Sequence, residues 1–235
     1  MPIQCNQLSL TFKDLTVFDN FSFEIPDRHV TAVLGPSGCG KTTLLNLISG
    51  LLSPALGSVS GISDERISYL FQEPRLLPWK SVRKNIELVL SPFMQAKDAS
   101  VRCSKFLEMV GLSRFTDYYP HELSGGMRQR AAVARAFAYP AAVMLMDEPF
   151  QALDLHLKLS LIELFEKLWN YDRRTAVFVT HDIQEALLLG DTIVVLYGPP
   201  AEIQAAIPNP VPREQRSLKE HAILELEQQL YTLLA

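Results

Sequence analysis

Strict alternation of apolar and polar residues opens the chain. Leu8, Leu10 and Phe12, then Phe21, Phe23 and Ile25, stand at period two, which predicts half-buried antiparallel strands. The pattern then changes. Val30 to Leu34 is a continuous apolar run ending in a glycine-containing loop; Leu44, Leu45 and Ile48 follow at helical spacing, with Gly50 as a stop. That sequence of patterns reads as strand, loop, helix. Ile67 to Phe71 predicts a further strand. From Gln72 onward, Pro74, Pro78, Pro92 and Pro120 punctuate helical patterns over Val82 to Leu90 and Val101 to Val110, with no strand between them. After Ser124 strands and helices alternate again. A helix runs through Arg135 and Phe137, Val143 to Met146 is a strand, and Leu155 to Trp169 a long helix. Ala176 to Thr180 is a strand, Ile183 to Leu189 a helix, and Ile193 to Tyr197 a strand. Apolar strands alternating with helices predict an α/β fold whose parallel sheet is covered on both faces. An all-helical lobe is inserted into it. The tail, with Ile223, Leu226, Leu230 and Leu233, predicts a packing helix.

Composition narrows the function classes. At 235 residues, 48% hydrophobic and 20% charged, the chain can bury a sizeable core, which excludes whole-chain disorder. Lys and Arg total 22 against 26 Asp and Glu, a net charge of -4, so nothing drives generic binding to a nucleic-acid backbone. Cys5, Cys39 and Cys103 lack a CxxC pair and fit a reducing compartment better than a disulfide framework or a zinc site. The N-terminal decapeptide has no charged region followed by an apolar one, so no secretory signal is expected. The most apolar stretch, Ala131 to Met146, is interrupted by Arg135 and Pro140, so no bilayer span is expected either. These features predict a soluble cytoplasmic protein.

The chemistry concentrates at three places. Gly35-Pro36-Ser37-Gly38-Cys39-Gly40-Lys41-Thr42 matches GxxxxGK[ST], followed by Thr43, between a buried strand and a helix. Its glycines let successive N–H groups converge on phosphate oxygens, and the helix N-terminus adds partial positive charge. Lys41 supplies an ammonium to the outer phosphates; the Thr42 hydroxyl can ligate Mg²⁺. Oxidation or alkylation of Cys39 should block the loop. The bland reading of the octet is a glycine-rich turn before a helix. Asp147 and Glu148 end an apolar strand, where buried carboxylates are costly unless they face a ligand. Neighbouring strand residues point to opposite sides, so Asp147 suits a metal shell and Glu148 can polarise a water; the plain alternative is that one of them caps the next helix. Ser124, Gly125 and Gly126 read as a capped helix start whose bare N–H groups offer a second phosphate site. One nucleotide does not need two cradles from a single chain. Each cradle is therefore expected to serve a different copy of the protein.

Taken together, the motifs resemble the nucleotide-binding subunit of an ATP-binding cassette transporter, from about residue 5 to residue 212. Gly35 to Thr42 corresponds to the family's Walker A loop, Gln72 to the Q-loop, and Leu123 to Gln129 to the signature. Val143 to Glu148 corresponds to Walker B, Ala152-Leu153-Asp154 to the D-loop, and His181 to the switch histidine; Phe12 falls where the family stacks an aromatic on adenine. The resemblance implies a P-loop NTPase fold with a mixed-sheet core, an antiparallel β subdomain and a helical subdomain. The expected division is a core over 1–72 and 124–235 and a helical subdomain over 73–123. Implied cofactors are ATP and Mg²⁺, with Gln72 beside Thr42 and Asp147 at the metal, and Glu148, His181, Lys41 and Gln72 in catalysis. Alone, a Gln or His after a strand is usually a solvated, capping or core residue. His29, His121, His156 and His221 are expected to be surface or packing residues.

The resemblance also implies partners. These are a second copy paired head to tail, integral-membrane permease subunits, an extracytoplasmic solute-binding protein, and no nucleic acid. The implied location is peripheral, on the cytoplasmic face of the cell membrane. Leu76, Leu77 and Trp79 are expected to fill the core of the helical lobe, although in the family this segment helps form the groove for a short permease helix. LFQEPRLLPWKSVRKNI is similar to ATPases of nitrate, sulfonate and taurine importers, and importers of other small organic molecules share the pattern. Met127 and Gln151 depart from the usual Gln and Gly of the signature and the D-loop approach. The chain ends soon after the core, so no appended regulatory domain is expected. Two rivals stay open: a non-transport cassette ATPase acting as a clamp in DNA repair or translation, and a small-molecule kinase using the same loop.

Overall fold

The computed structural model describes residues 1–62, 67–151 and 153–234. Ala152 of the expected D-loop lies outside them. Nine strands and seven helices are present among the described residues: β1 Ile3–Phe12, β2 Leu15–Ile25, β3 Val30–Leu34, α1 Lys41–Ile48, β4 Leu56–Ser60, β5 Ile67–Leu70, α2 Val82–Leu90, α3 Ala96–Met109, α4 Gly125–Ala138, β6 Val143–Asp147, α5 Leu155–Tyr171, β7 Thr175–Thr180, α6 Ile183–Leu189, β8 Thr192–Tyr197, β9 Glu202–Pro208 and α7 His221–Leu234. They group into two units, one comprising Met1–Glu65, Leu145–Glu148 and Arg174–Ala235, the other Arg66–Met144 and Pro149–Arg173.

In the first unit, β1 pairs with β2 and β4 in an antiparallel three-stranded sheet, order β2-β1-β4. Leu8, Leu10, Phe21 and Ile25 are buried as the alternation predicts, whereas Phe12 at the strand end is 45% exposed. The main sheet runs β6-β7-β3-β8-β9 within this unit. β3 is parallel to both neighbours, Ala32 standing opposite Phe178 and Ile193; β9 is antiparallel to β8, which makes the sheet mixed. Every residue of β3 and β7 is buried, so the core sits on this sheet and its polar loops gather at strand ends.

A carboxylate locks the C-terminal segment onto this core. Asp191, before β8, accepts from the Val30 N–H at 2.9 Å, from Arg213 Nη2 at 2.7 Å and from Arg216 Nη2 at 2.9 Å. Both guanidinium groups also donate to the Leu189 carbonyl, and the Asn209 amide reaches the Leu187 and Gly190 carbonyls. Burial alone pushes the Asp191 carboxyl up, but the hydrogen bond and charge of Arg213, the Val30 N–H and Arg216 outweigh it and hold it below the usual carboxylate range.

In the second unit, α4 packs against α2, α3, α5 and β5. Between residues 73 and 123 only helices and short 3₁₀ turns occur, as the proline-punctuated pattern predicts. Trp79 departs from expectation: Leu76 and Leu77 are half-buried, but Trp79 is 69% exposed. It lies in an irregular turn before α2, where the backbone does not aim it inward. No helix among the described residues is long and apolar enough to cross a membrane.

Candidate active site

The loop between β3 and α1 is built to hold an anion. Gly40, the N-cap of α1, has φ 104°, a left-handed conformation that glycine adopts at no steric cost. Neither a side-chain cap nor an acidic residue occupies the first turn of α1, whereas Ser81, Asp154 and Asp182 cap α2, α5 and α6. The positive end of α1 is thus left for a ligand. Lys41, 5% exposed, donates to the Gly35 carbonyl at 2.8 Å and the Pro36 carbonyl at 2.9 Å. Those bonds hold the ammonium at the loop and use two of its three donors.

Cys39 is fully buried in this loop, and burial raises its thiol pKa against the opposing charge of Lys41. Burial also raises Cys5 to about 12 and Cys103 to about 11. Since the thiolate is the nucleophile, an aromatic disulfide reagent at pH 8 should leave the native protein unlabelled over minutes and titrate three thiols after denaturation. A thiol that reacts fast in the native protein would contradict this.

The carboxylates that close β6 meet this loop. Thr42 Oγ1 donates to Asp147 Oδ1 at 3.0 Å. Glu148 follows with φ 43°, unusual for a residue with a Cβ, its N–H donating to the Val179 carbonyl at 3.1 Å. Its Oε2 lies 3.0 Å from His181 Nδ1. His181 is held by its neighbours. Thr180 Oγ1 donates to Glu185 Oε2 at 2.7 Å and accepts from the Asp182 N–H at 3.0 Å, while Asp182 caps α6 through the N–H groups of Gln184 and Glu185. Thr180, Asp182 and Glu185 were not singled out from sequence, although an Asp before an apolar helical run with an acid three residues on is a capping pattern.

Ser37, Gly38, Gly40 to Thr43 and Glu148 line a cleft of about 320 Å³ whose apolar wall is Phe12, Leu15 and Val17. An aromatic ring and two aliphatic side chains beside a phosphate loop suit a flat base next to its phosphates. Leu15 and Val17 also went unnoticed in the sequence, being ordinary strand residues there.

Gln72, Ser124, Gly125, Gly126 and Asp154 belong to the second unit. Ser124 caps α4, its Oγ accepting from the Met127 N–H at 3.3 Å. A Cβ on Gly126 would stand 2.8 Å from Leu157 Cδ1, so packing also demands glycine there. Asp154 caps α5 through the Leu157 N–H at 3.0 Å. Gln72 is exposed; with Gly125, Arg128, Gln129 and Asp154 it lines a cleft of about 510 Å³. Gln129 is buried and donates to the Pro149 carbonyl at 2.8 Å.

Comparison with known proteins agrees with these features. The ABC transporter family model matches residues 18–151. The aliphatic sulfonates import ATP-binding protein SsuB 1 of Mesorhizobium japonicum is 40% identical over 210 residues, 88% of this chain and 79% of that protein. The aliphatic sulfonates import ATP-binding protein SsuB of Bacillus cereus is 39% identical over 230 residues, covering 92% and 90%. A dimeric ATP-binding cassette in a post-hydrolysis state, bound to ADP and Pi, superposes with a TM-score of 0.76 at 29% identity, over 89% of this chain and 100% of that one. The chain belongs to the ABC transporter family, as one of its ATP-hydrolysing chains.

Proposed function

We propose that this chain powers an importer for a small solute of the sulfonate, nitrate or taurine kind, working as a head-to-tail pair on membrane permease subunits served by an extracytoplasmic solute-binding protein. The observation that carries the ATPase site is the gathering of Lys41, Thr42, Asp147, Glu148 and His181 around the uncapped start of α1. Two sulfonate import proteins among the relatives favour the solute class. The family favours a peripheral place at the cytoplasmic face.

Phosphoryl transfer to water needs positioning and charge stabilisation more than covalent chemistry. Lys41 and the first-turn N–H groups of α1 hold the phosphate chain. Glu148 accepts a hydrogen bond from the attacking water and turns its lone pair toward phosphorus. A proton on His181 Nδ1 shared with Glu148 leaves Nε2 as the ring atom for the terminal phosphate. The Thr42 hydroxyl and Asp147 carboxylate are adjacent hard oxygen donors, the type Mg²⁺ takes alongside substrate phosphates. Bound Mg²⁺ would neutralise charge on those phosphates. Phe12 stacks on the base. Ser124, Gly125 and Gly126 cover the terminal phosphate held by the partner copy, Asp154 shapes that junction, and Gln72 senses the metal and water.

A mixed pair tests the shared site. Lys41→Ala and Ser124→Arg chains are each inactive alone, but their mixed dimer keeps one intact chamber and should have up to about half of the wild-type per-dimer turnover. A random equimolar mixture, in which about half of the dimers are mixed, should therefore regain up to about a quarter. Phosphate release measured across mixing ratios should follow the mixed-dimer fraction. No recovery, in mixtures shown to form mixed dimers, defeats the head-to-tail reading.

A further inference from the structure

The residues flanking Gln72 are held from both sides, although Gln72 itself is exposed. On the N-terminal side, Tyr69 and Phe71 stack with ring centroids 4.2 Å apart and planes 19° from parallel. The Arg75 guanidinium lies 3.8 Å over the Phe71 ring, closing a loop of five residues with a cation–π contact. Arg75 reaches that ring from a backbone with φ 42°, which for a residue with a Cβ persists only where the surroundings enforce it. On the C-terminal side the enforcement is visible. Arg135, in the last turn of α4, donates through Nη2 to the Pro74 carbonyl at 2.9 Å and through Nη1 to the Arg75 carbonyl at 2.8 Å. A planar guanidinium can serve two successive carbonyls at once, whereas an ammonium is a point donor on a flexible stem. One residue on, the Ala136 carbonyl accepts from the buried Ser68 hydroxyl at 2.8 Å, so the same turn of α4 also grips β5.

We propose that Arg135 is a positioning residue for Gln72: its fork fixes the carbonyls of Pro74 and Arg75, and the Arg75–Phe71–Tyr69 stack returns that constraint to the other side of Gln72. The consequence is mechanical. The helix that begins at Ser124, Gly125 and Gly126 carries the Gln72 loop through Arg135 on its last turn, about 15 Å further along its axis. The signature and Gln72 then move as one piece.

The functional half rests on the reading of Gln72 given above, so the test separates the two. In full-length Arg135→Lys, chymotrypsin cleavage after Phe71 should quicken roughly tenfold while hydrogen exchange of the helical amides of residues 128–134 stays as in wild type. ATP turnover should fall roughly tenfold or more with KM for ATP within about twofold, as expected for misplacement rather than lost binding. Gln72→Ala should fall comparably, and the double variant should be no slower than Gln72→Ala alone. Arg75→Asn, which tolerates the left-handed backbone but loses the stack, should also loosen the loop, and it serves if Arg135→Lys fails to fold. A wild-type rate of cleavage after Phe71 in these variants overturns the clamp. Loosening of α4 together with the loop reduces Arg135 to a packing residue and overturns it too. A loosened loop with Gln72→Ala fully active overturns the reading of Gln72 and the functional half of the proposal.

Discussion

Glu148→Gln should bind ATP with near-native affinity yet release phosphate about 10²- to 10⁴-fold more slowly, the range a positioned acid–base group supplies. The amide has the same shape and tolerates the same backbone, and its oxygen still accepts from His181 Nδ1, which lies 3.0 Å from the carboxylate. Only the negative charge that turns the water is lost. Because in the proposed cycle hydrolysis removes the advantage of the closed pair, the variant should accumulate a dimer in ATP and Mg²⁺. Phosphate release, nucleotide binding and light scattering read the three consequences separately. Near-wild-type phosphate release would remove Glu148 from its role.

Asp191→Ala should cost about 3–5 kcal/mol, because it strips the carboxylate from two guanidinium groups that are themselves 8% and 4% exposed. For a chain of this length that lowers the melting temperature by roughly 6–20 °C. The acid dependence has a definite sign. A carboxyl held below its unfolded pKa contributes its full stability above about pH 4, and loses it as pH falls through the lower folded value. Wild type should therefore lose this increment only in strong acid, and the variant should lack it at neutral pH already. Thermal melts at pH 7 and in a series below pH 4 measure both; equal melting temperatures at pH 7 would mean the Asp191 cluster holds nothing.

Elements governed by local pattern were legible from residues alone. The continuous runs of β3 and β7, the octet before α1 and the Ser124 cap all carry their cause within a few residues. β4 and β9 were not. Leu56–Ser60 has a glycine and two serines and no buried residue, and it becomes a strand by pairing with β1. Glu202–Pro208 is an edge strand made by pairing with β8, and it ends in a proline tolerated only at an edge. At the site, Lys41, Thr42, Asp147 and Glu148 were legible because motif spacing encodes them. Their supports were not: Asp191 is separated by 22 and 25 residues from Arg213 and Arg216, Arg135 by 60 from Arg75, and no periodicity links such pairs. Trp79 shows the opposite error, since an apolar residue in an irregular turn has no period to say which way it faces.

The left-handed backbone at Glu148 sets a limit on engineering this chain. Glycine at 148 would relax that backbone by about 1 kcal/mol or more, so a screen that rewards endurance to heat alone favours the very replacement that discards the carboxylate proposed to orient the water. Variants selected for long shelf life should be sequenced at this codon before their turnover is trusted.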